Sequence, residues 1–246
     1  MLGSSLLERP GHRAVGLLLV ASGGLLLAAF ARVERAVPNP LLPGRAVRHR
    51  NLRIGAAAAF MNTATTSPVM TLATLHLQDT RGASPAAADV TLLPFSLCVV
   101  LGSALAARVL HRRHPGGGLA GGLGLIAVGD AALLALPVAE WLLPACVGVA
   151  GLGIGLSSVA ATTLGTNVPA ALQATAAGVL NTAAQLGTAL GVAVVLLIAT
   201  STQNLHLPLD GTPLGWACAA LGAAAAALLN YTRSRPAIET TSRTSV

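Results

Sequence analysis

Charged residues are scarce in this sequence. Only 9% of its 246 residues are charged, whereas 54% are hydrophobic and the mean hydropathy is +0.72. A soluble domain of this size carries roughly a quarter of its residues as Asp, Glu, Lys or Arg. The composition therefore excludes an ordinary soluble fold and predicts an all-α integral membrane protein.

Aromatic residues and lysine are also scarce. Aromatic side chains make up 2% of the chain, too few for the stacking surface of a single-stranded nucleic-acid-binding protein or for the girdles of an outer-membrane barrel. All 15 basic residues are arginine, which excludes mechanisms that need a lysine amine. The three cysteines lie in separate apolar stretches without a suitably spaced His, so we expect neither a disulfide framework nor a metal site.

Seven apolar stretches are long enough to cross a membrane. A transmembrane α-helix needs about 20 mostly apolar residues, and Pro, Gly, Arg or polar clusters separate the stretches. Their approximate bounds are 14–31, 54–77, 90–110, 117–137, 141–165, 176–199 and 214–231. We expect a membrane domain over residues 14–232, a short preceding segment 1–13 and a disordered cytoplasmic tail 233–246.

Arginine is unevenly distributed between the predicted loops. If the N-terminus lies outside, twelve of the fifteen arginines fall on the inside, and three on the outside. Cytoplasmic loops retain basic residues, so we predict a cell-membrane protein with its N-terminus outside and its C-terminus cytoplasmic. An odd number of spans with an outside start also suggests that a further segment precedes this one.

Residues 32–53 are predicted to form a basic cytoplasmic loop. Contact between its arginines and anionic lipid is a sufficient explanation for the cluster, so no nucleic-acid partner is expected. The candidate residues of this loop and of the next cytoplasmic one are Arg45, Arg48, Arg50, Arg108, Arg112 and Arg113.

Polar residues interrupt the second predicted span just before Pro68. This proline leaves the carbonyl of Ala64 without its helical donor, so we expect the helix to bend. Asn62, Thr65 and Thr66 share one helix face and are candidates for a substrate path near mid-membrane. Hydrogen bonds from these side chains back to their own helix are an equally good interpretation.

The sixth predicted span carries two amides, Asn181 and Gln185, one turn apart. Such a pair suits interhelical hydrogen bonding, which we favour, or contact with a substrate. Small residues recur at spacings that let helix backbones approach each other. The glycines for which we predict this packing role are Gly151, Gly155, Gly178, Gly187 and Gly191.

Asp130 is the one acidic residue deep inside a predicted span. An isolated carboxylate there costs about 3 kcal/mol on insertion scales. We therefore expect Asp130 to face the interior of the bundle and to be a candidate for proton coupling, although a hydrogen bond to a neighbouring helix is an alternative. His76, at an outer helix end, is the second candidate titrating group.

Several strings together resemble the C-terminal half of a fourteen-span drug:proton antiporter of the major facilitator superfamily. A proline- and arginine-rich entry precedes the second span at Asn39-Pro-Leu-Leu-Pro43. The third span opens with Ser84-Pro85 and Leu93-Pro94, and ends in a basic loop motif at Gly102-x-x-Leu105-Ala106-Ala107-Arg108. The most specific elements are Gly151, Gly153, Gly155, Pro169, Gly178, Asn181-Thr182, Gln185, Gly187 and Gly191.

The resemblance implies proton-coupled efflux of small amphipathic drugs or antibiotics, driven by the proton gradient without a cofactor. It also implies a lipid bilayer environment and a partner, either an N-terminal transporter half or a second copy. Ala107 and Ala184 stand where the family commonly has charged residues, so the cytoplasmic charge network is thin. The alternative is a non-transporting seven-span sensor or accessory subunit. A membrane enzyme is not expected, because no paired carboxylates or catalytic triad occur at one depth.

Overall fold

The computed structural model describes residues 13–37, 44–112, 115–135, 140–204 and 211–234. These residues form α-helices without any strand, which confirms the predicted all-α class. The helices are α1 Arg13–Ala36, α2 Gly44–Arg48, α3 Arg50–Leu75, α4 Pro85–Arg112, α5 Pro115–Ala132, α6 Leu143–Gly165, α7 Gln173–Asn204 and α8 Gly211–Ser234. Short helical turns cover His76–Thr80, Leu133–Ala135, Glu140–Leu142 and Ala170–Leu172.

Five helices within the described ranges are long and apolar enough to cross a membrane. They lie over Pro85–His111, Pro115–Ala135, Leu143–Gly165, Ala170–Ile198 and Pro213–Asn230. The first two predicted spans fall on α1 and α3, which are outside this set. The polar run of α3 lowers its hydropathy, and the total of seven spans stays a prediction.

The predicted basic cytoplasmic loop over residues 32–53 is helical in most of its described part, and its cytoplasmic position stays a prediction. Helix α1 continues through Ala36, α2 covers Gly44–Arg48, and α3 begins at Arg50. A helix satisfies its own backbone and arginine is a good helix former, so these helices extend past their apolar segments. Residues 1–12 and 235–246, and with them most of the predicted N-terminal segment and tail, lie outside the described residues.

The chain divides into two units, residues 1–49 and residues 50–246. The first unit contains α1, whose apolar side chains Leu25, Leu26 and Phe30 are exposed. In the second unit, α3 packs against α6, α7 and α8, while α6 also packs against α4 and α5. Helices α5 and α8 also pack against each other.

Two apolar clusters form the core of the second unit. One lies towards the C-terminal end of α3 and includes Val69, Leu72, Leu133, Val147 and Trp216. The other lies towards the N-terminal end of α3 and includes Ala58, Leu119, Leu123, Ile126 and Ala160. Both clusters contain buried residues of α3, α6 and α8.

Glycines permit the close helix contacts of this unit. Gly151 and Gly155 on α6 lie against the carbonyls of Phe95 and Val99 on α4, and Gly187 on α7 lies against the carbonyl of Phe60 on α3. A side chain at these positions would collide with backbone. Gly178 differs from the predicted packing role, because among the described residues no neighbouring helix comes within 4 Å of the position of a Cβ there.

Candidate functional site

Asn62 links α3 to α6 through two hydrogen bonds. Its Nδ2 donates to the Ser158 hydroxyl at 2.7 Å, and its Oδ1 accepts from the Ser157 hydroxyl at 2.9 Å. Asn62 and Ser157 are buried, whereas Ser158 is exposed at the surface of α6. The Asn62 amide therefore bonds to one buried and one exposed serine of α6. The sequence alone did not indicate either serine as a partner.

Thr65 and Thr66 are buried, like Asn62. The Thr65 hydroxyl donates to the carbonyl of Met61 in its own helix at 2.9 Å. The Thr66 hydroxyl has no hydrogen-bond partner among the described residues. With exposures of 4% and 1%, both side chains fit the packing interpretation in this conformation.

Helix α3 continues without interruption through Pro68 from Arg50 to Leu75. Two polar residues of α3 contact α7. The Thr63 hydroxyl donates to the carbonyl of Ala184 at 2.6 Å, and the hydroxyls of Ser67 and Thr188 lie 3.2 Å apart. These bonds hold α3 and α7 together where Pro68 removes a helical hydrogen bond. The sequence alone did not indicate that Thr63 and Ser67 contact α7.

Asn181 and Gln185 are both exposed on α7. The neighbouring Thr182 hydroxyl donates to the carbonyl of Gly178 in the same helix at 2.9 Å. Both amides therefore lie on the surface of the described part of the unit, and their expected role as links between helices stays a prediction.

Asp130 is fully buried, at 0% exposure. Neither carboxyl oxygen has a hydrogen-bond partner among the described residues. One turn before it, Ile126 belongs to one core cluster, and one turn after it, Leu133 belongs to the other. The carboxyl group thus lies at the junction of the two apolar clusters, on a helix packed between α6 and α8.

His76 lies in the helical turn that follows α3, in contact with Trp216 of α8. The two ring centroids are 5.9 Å apart, with an angle of 69° between the ring planes. Trp216 is 1% exposed, and its indole nitrogen has no hydrogen-bond partner among the described residues. His76 therefore lies just past the end of α3, in an edge-on contact with a buried aromatic ring.

The predicted basic residues lie at helix ends. Arg45, Arg48, Arg50 and Arg108 are exposed. Arg112 is the last residue of α4, and Arg113 lies outside the described residues. Within the described ranges, no group of three or more His, Cys, Asp or Glu side chains could hold a metal ion.

Comparison with known proteins identifies a family for most of the chain. The model of the Major Facilitator Superfamily matches residues 1–192. The puromycin resistance protein pur8 of Streptomyces alboniger is 36% identical over 202 residues, which cover 79% of this chain and 40% of the relative. The lincomycin resistance protein of Streptomyces lincolnensis is 31% identical over 221 residues, 87% of this chain and 45% of the relative.

A third relative is named for export. The tetracenomycin C resistance and export protein of Streptomyces glaucescens is 29% identical over 192 residues, covering 77% of this chain and 35% of the relative. This chain thus spans 35% to 45% of the length of these curated relatives.

Proposed function

Because this chain belongs to the Major Facilitator Superfamily, we propose that it is the C-terminal half of a proton-coupled efflux transporter for small amphipathic drugs or antibiotics. The chain is a multi-pass membrane protein and a transporter component rather than an enzyme. The observation that carries the proposal is the family match together with relatives named for antibiotic resistance and export. Those names give the sensor or accessory-subunit alternative no support.

The helix arrangement supports a need for a partner bundle. Alternating access requires two bundles that rock around a central site, and α3 to α8 supply one. Two helices of this unit, α4 and α7, expose long apolar stripes, which a partner half, a second copy or lipid would cover. Their exposed apolar side chains include Val90, Leu93, Leu97, Leu101, Leu186, Leu190, Val194 and Leu197.

The proposed substrate path follows the open side of α6 and α7. Asn181 and Gln185 are exposed on α7. The exposed Ser158 on α6 accepts a hydrogen bond from the buried Asn62. Polar groups in a membrane protein are tolerated where they face a cavity or protein. Thr65 and Thr66 are buried here and join the path only in a conformation in which α3 turns relative to α6.

Asp130 is the proposed carrier of the coupling proton, with His76 as a second titrating group. A buried carboxyl group without a hydrogen-bond partner is costly in its charged form, so gain and loss of a proton changes the energy of the surrounding helices. The twelve arginines on one side support an orientation in the cell membrane with the N-terminus outside and the C-terminus cytoplasmic.

Efflux of a fluorescent dye tests the proposed function. We expect cells that carry only these 246 residues to retain ethidium, and cells that also express a matching N-terminal half to export it. Chain abundance in the membrane is measured in both strains as the control. Export by the 246-residue chain alone would contradict the half-transporter proposal, and a lack of export with several matched halves would remove its support.

A further inference from the structure

A cavity opens where α3, α4 and α6 meet at one end of the bundle. Its volume is about 120 Å³. A single water needs roughly 10–15 Å³ of such volume, so the cavity is large enough for a phosphate ester. The lining includes His76, Arg81, Thr91, Trp141, Leu143 and Pro144.

Arg81 is unusual in its position. It follows the C-terminal end of α3, and the sequence stretches that come after α3, α5 and α7, residues 76–84, 133–142 and 205–210, contain no other arginine. Basic residues are depleted on the side of a membrane protein opposite the arginine-rich loops. The general charge bias therefore does not account for Arg81, whose side chain lines the cavity.

One of the two tryptophans gives the cavity an amphipathic wall. Trp141 lines it with 80% of its surface exposed, whereas Trp216 is buried and contacts the lining residue His76. Tryptophan is enriched where membrane meets water, because its ring is apolar and its N–H is polar. Leu143 and Pro144 add apolar surface next to the cationic Arg81.

We propose that this cavity binds the phosphate group of an amphiphile. The Arg81 guanidinium binds the phosphate oxygens, a geometry for which arginine is well suited. His76 and Thr91 offer further polar contacts, while Trp141 and Pro144 contact the apolar part. The same chemistry occurs in a membrane phospholipid and in a soluble phosphate ester, and the site does not depend on the proposed drug efflux.

Tryptophan fluorescence reports directly on this site, since Trp141 and Trp216 are the only two tryptophans in the chain. The purified 246-residue chain in detergent is titrated with short-chain phosphatidylglycerol, short-chain phosphatidylcholine, glycerol phosphate and inorganic phosphate. We expect saturable changes with phosphatidylglycerol. Tighter binding of phosphatidylglycerol than of glycerol phosphate identifies a lipid site, and equal binding identifies a site for a soluble phosphate ester.

Two substitutions at Arg81 test whether its guanidinium binds the phosphate group specifically or only through its positive charge. Arg81→Gln is expected to weaken phosphatidylglycerol binding about tenfold, and Arg81→Lys to restore most of it. The matched control is Arg108→Gln, an exposed arginine nearly five helical turns along α4 from Thr91, which leaves the affinity unchanged. Equal affinities for wild type, Arg81→Gln and Arg108→Gln, or absence of saturable binding by every phosphate compound, would overturn the proposal. Circular dichroism shows whether each variant is folded.

Discussion

Gly191 on α7 lies against the backbone carbonyl of Ala64 on α3. This carbonyl is the one that Pro68, four residues later, leaves without a helical N–H donor. Because Gly191 has no Cβ, the α7 backbone covers the carbonyl closely, and a weak Cα–H···O contact becomes possible there. The proline on one helix and the glycine on the other thus act at the same point of the interface.

We expect Gly191→Ala to destabilise the chain, because the new methyl group would collide with the α3 backbone. Overpacking of this kind costs about 1–3 kcal/mol. Gly178→Ala on the same helix is the matched control: it has open space around it, and the gain in helix propensity is up to about 1 kcal/mol. Thermal unfolding in detergent measures both. A midpoint for Gly191→Ala at or above that of Gly178→Ala would contradict the packing role.

Asn62→Leu is expected to lower stability by about 1–2 kcal/mol, because it removes both hydrogen bonds to α6 and model studies assign about 1–2 kcal/mol to such interactions in membranes. Asn181→Leu serves as the comparison, since Asn181 is exposed and its loss leaves the bundle stability unchanged. In a complete transporter, Asn181→Leu is instead expected to reduce drug efflux. If both variants unfolded at the wild-type midpoint, Asn62 would not be a structural link.

The sequence predicted the helices better than their partners. Long apolar runs ended by Pro, Gly or Arg located the five described helices that are long and apolar enough to cross a membrane, because length and hydropathy are local properties. The partners of Asn62 were not predictable, because Ser157 and Ser158 lie on a helix about 95 residues away. Only the packing of α3 against α6 brings these side chains together.

Helix geometry explains why Gly178 has no close neighbour among the described residues while Gly187 lies against α3. An α-helix turns by about 100° per residue, so residues nine positions apart lie on opposite sides. Gly187 and Gly191, four positions apart, share a face and both contact α3. Gln185 lies almost opposite Gly187 by the same arithmetic, and its exposure follows. The spacing of Gly187 and Gly191 correctly predicted a close helix contact. The glycine pattern did not indicate which face of α7 meets a neighbouring helix.

Reporter fusions test the membrane orientation. We expect a reporter that is active only in the cytoplasm to work after Arg53 and after Val246, and to be silent after Asp210, because the arginine-rich ends of the helices stay inside. A periplasmic reporter at the same three positions is the reciprocal control. Activity of the cytoplasmic reporter only after Asp210 would invert the topology, and with it the side on which the Arg81 cavity lies.

Asp130→Asn tests the proposed proton carrier most directly. The substitution keeps the size of the side chain and removes its ability to ionise, so we expect the protein to fold and to lose drug efflux driven by a pH gradient. Downhill drug movement without a gradient is expected to persist, because binding does not require the proton. Asp79→Asn, at an exposed position beyond α3, is the control and keeps full efflux.

The complete transporter, reconstituted in vesicles, is the system for this measurement. The carboxyl group of Asp130 has no hydrogen-bond partner in the described residues and lies between the two apolar clusters, so a negative charge on it is costly in this conformation. Efflux by Asp130→Asn that responds to the pH gradient as strongly as wild type would exclude this residue as the proton carrier. Loss of both coupled and downhill movement would instead assign Asp130 to the structure of the bundle.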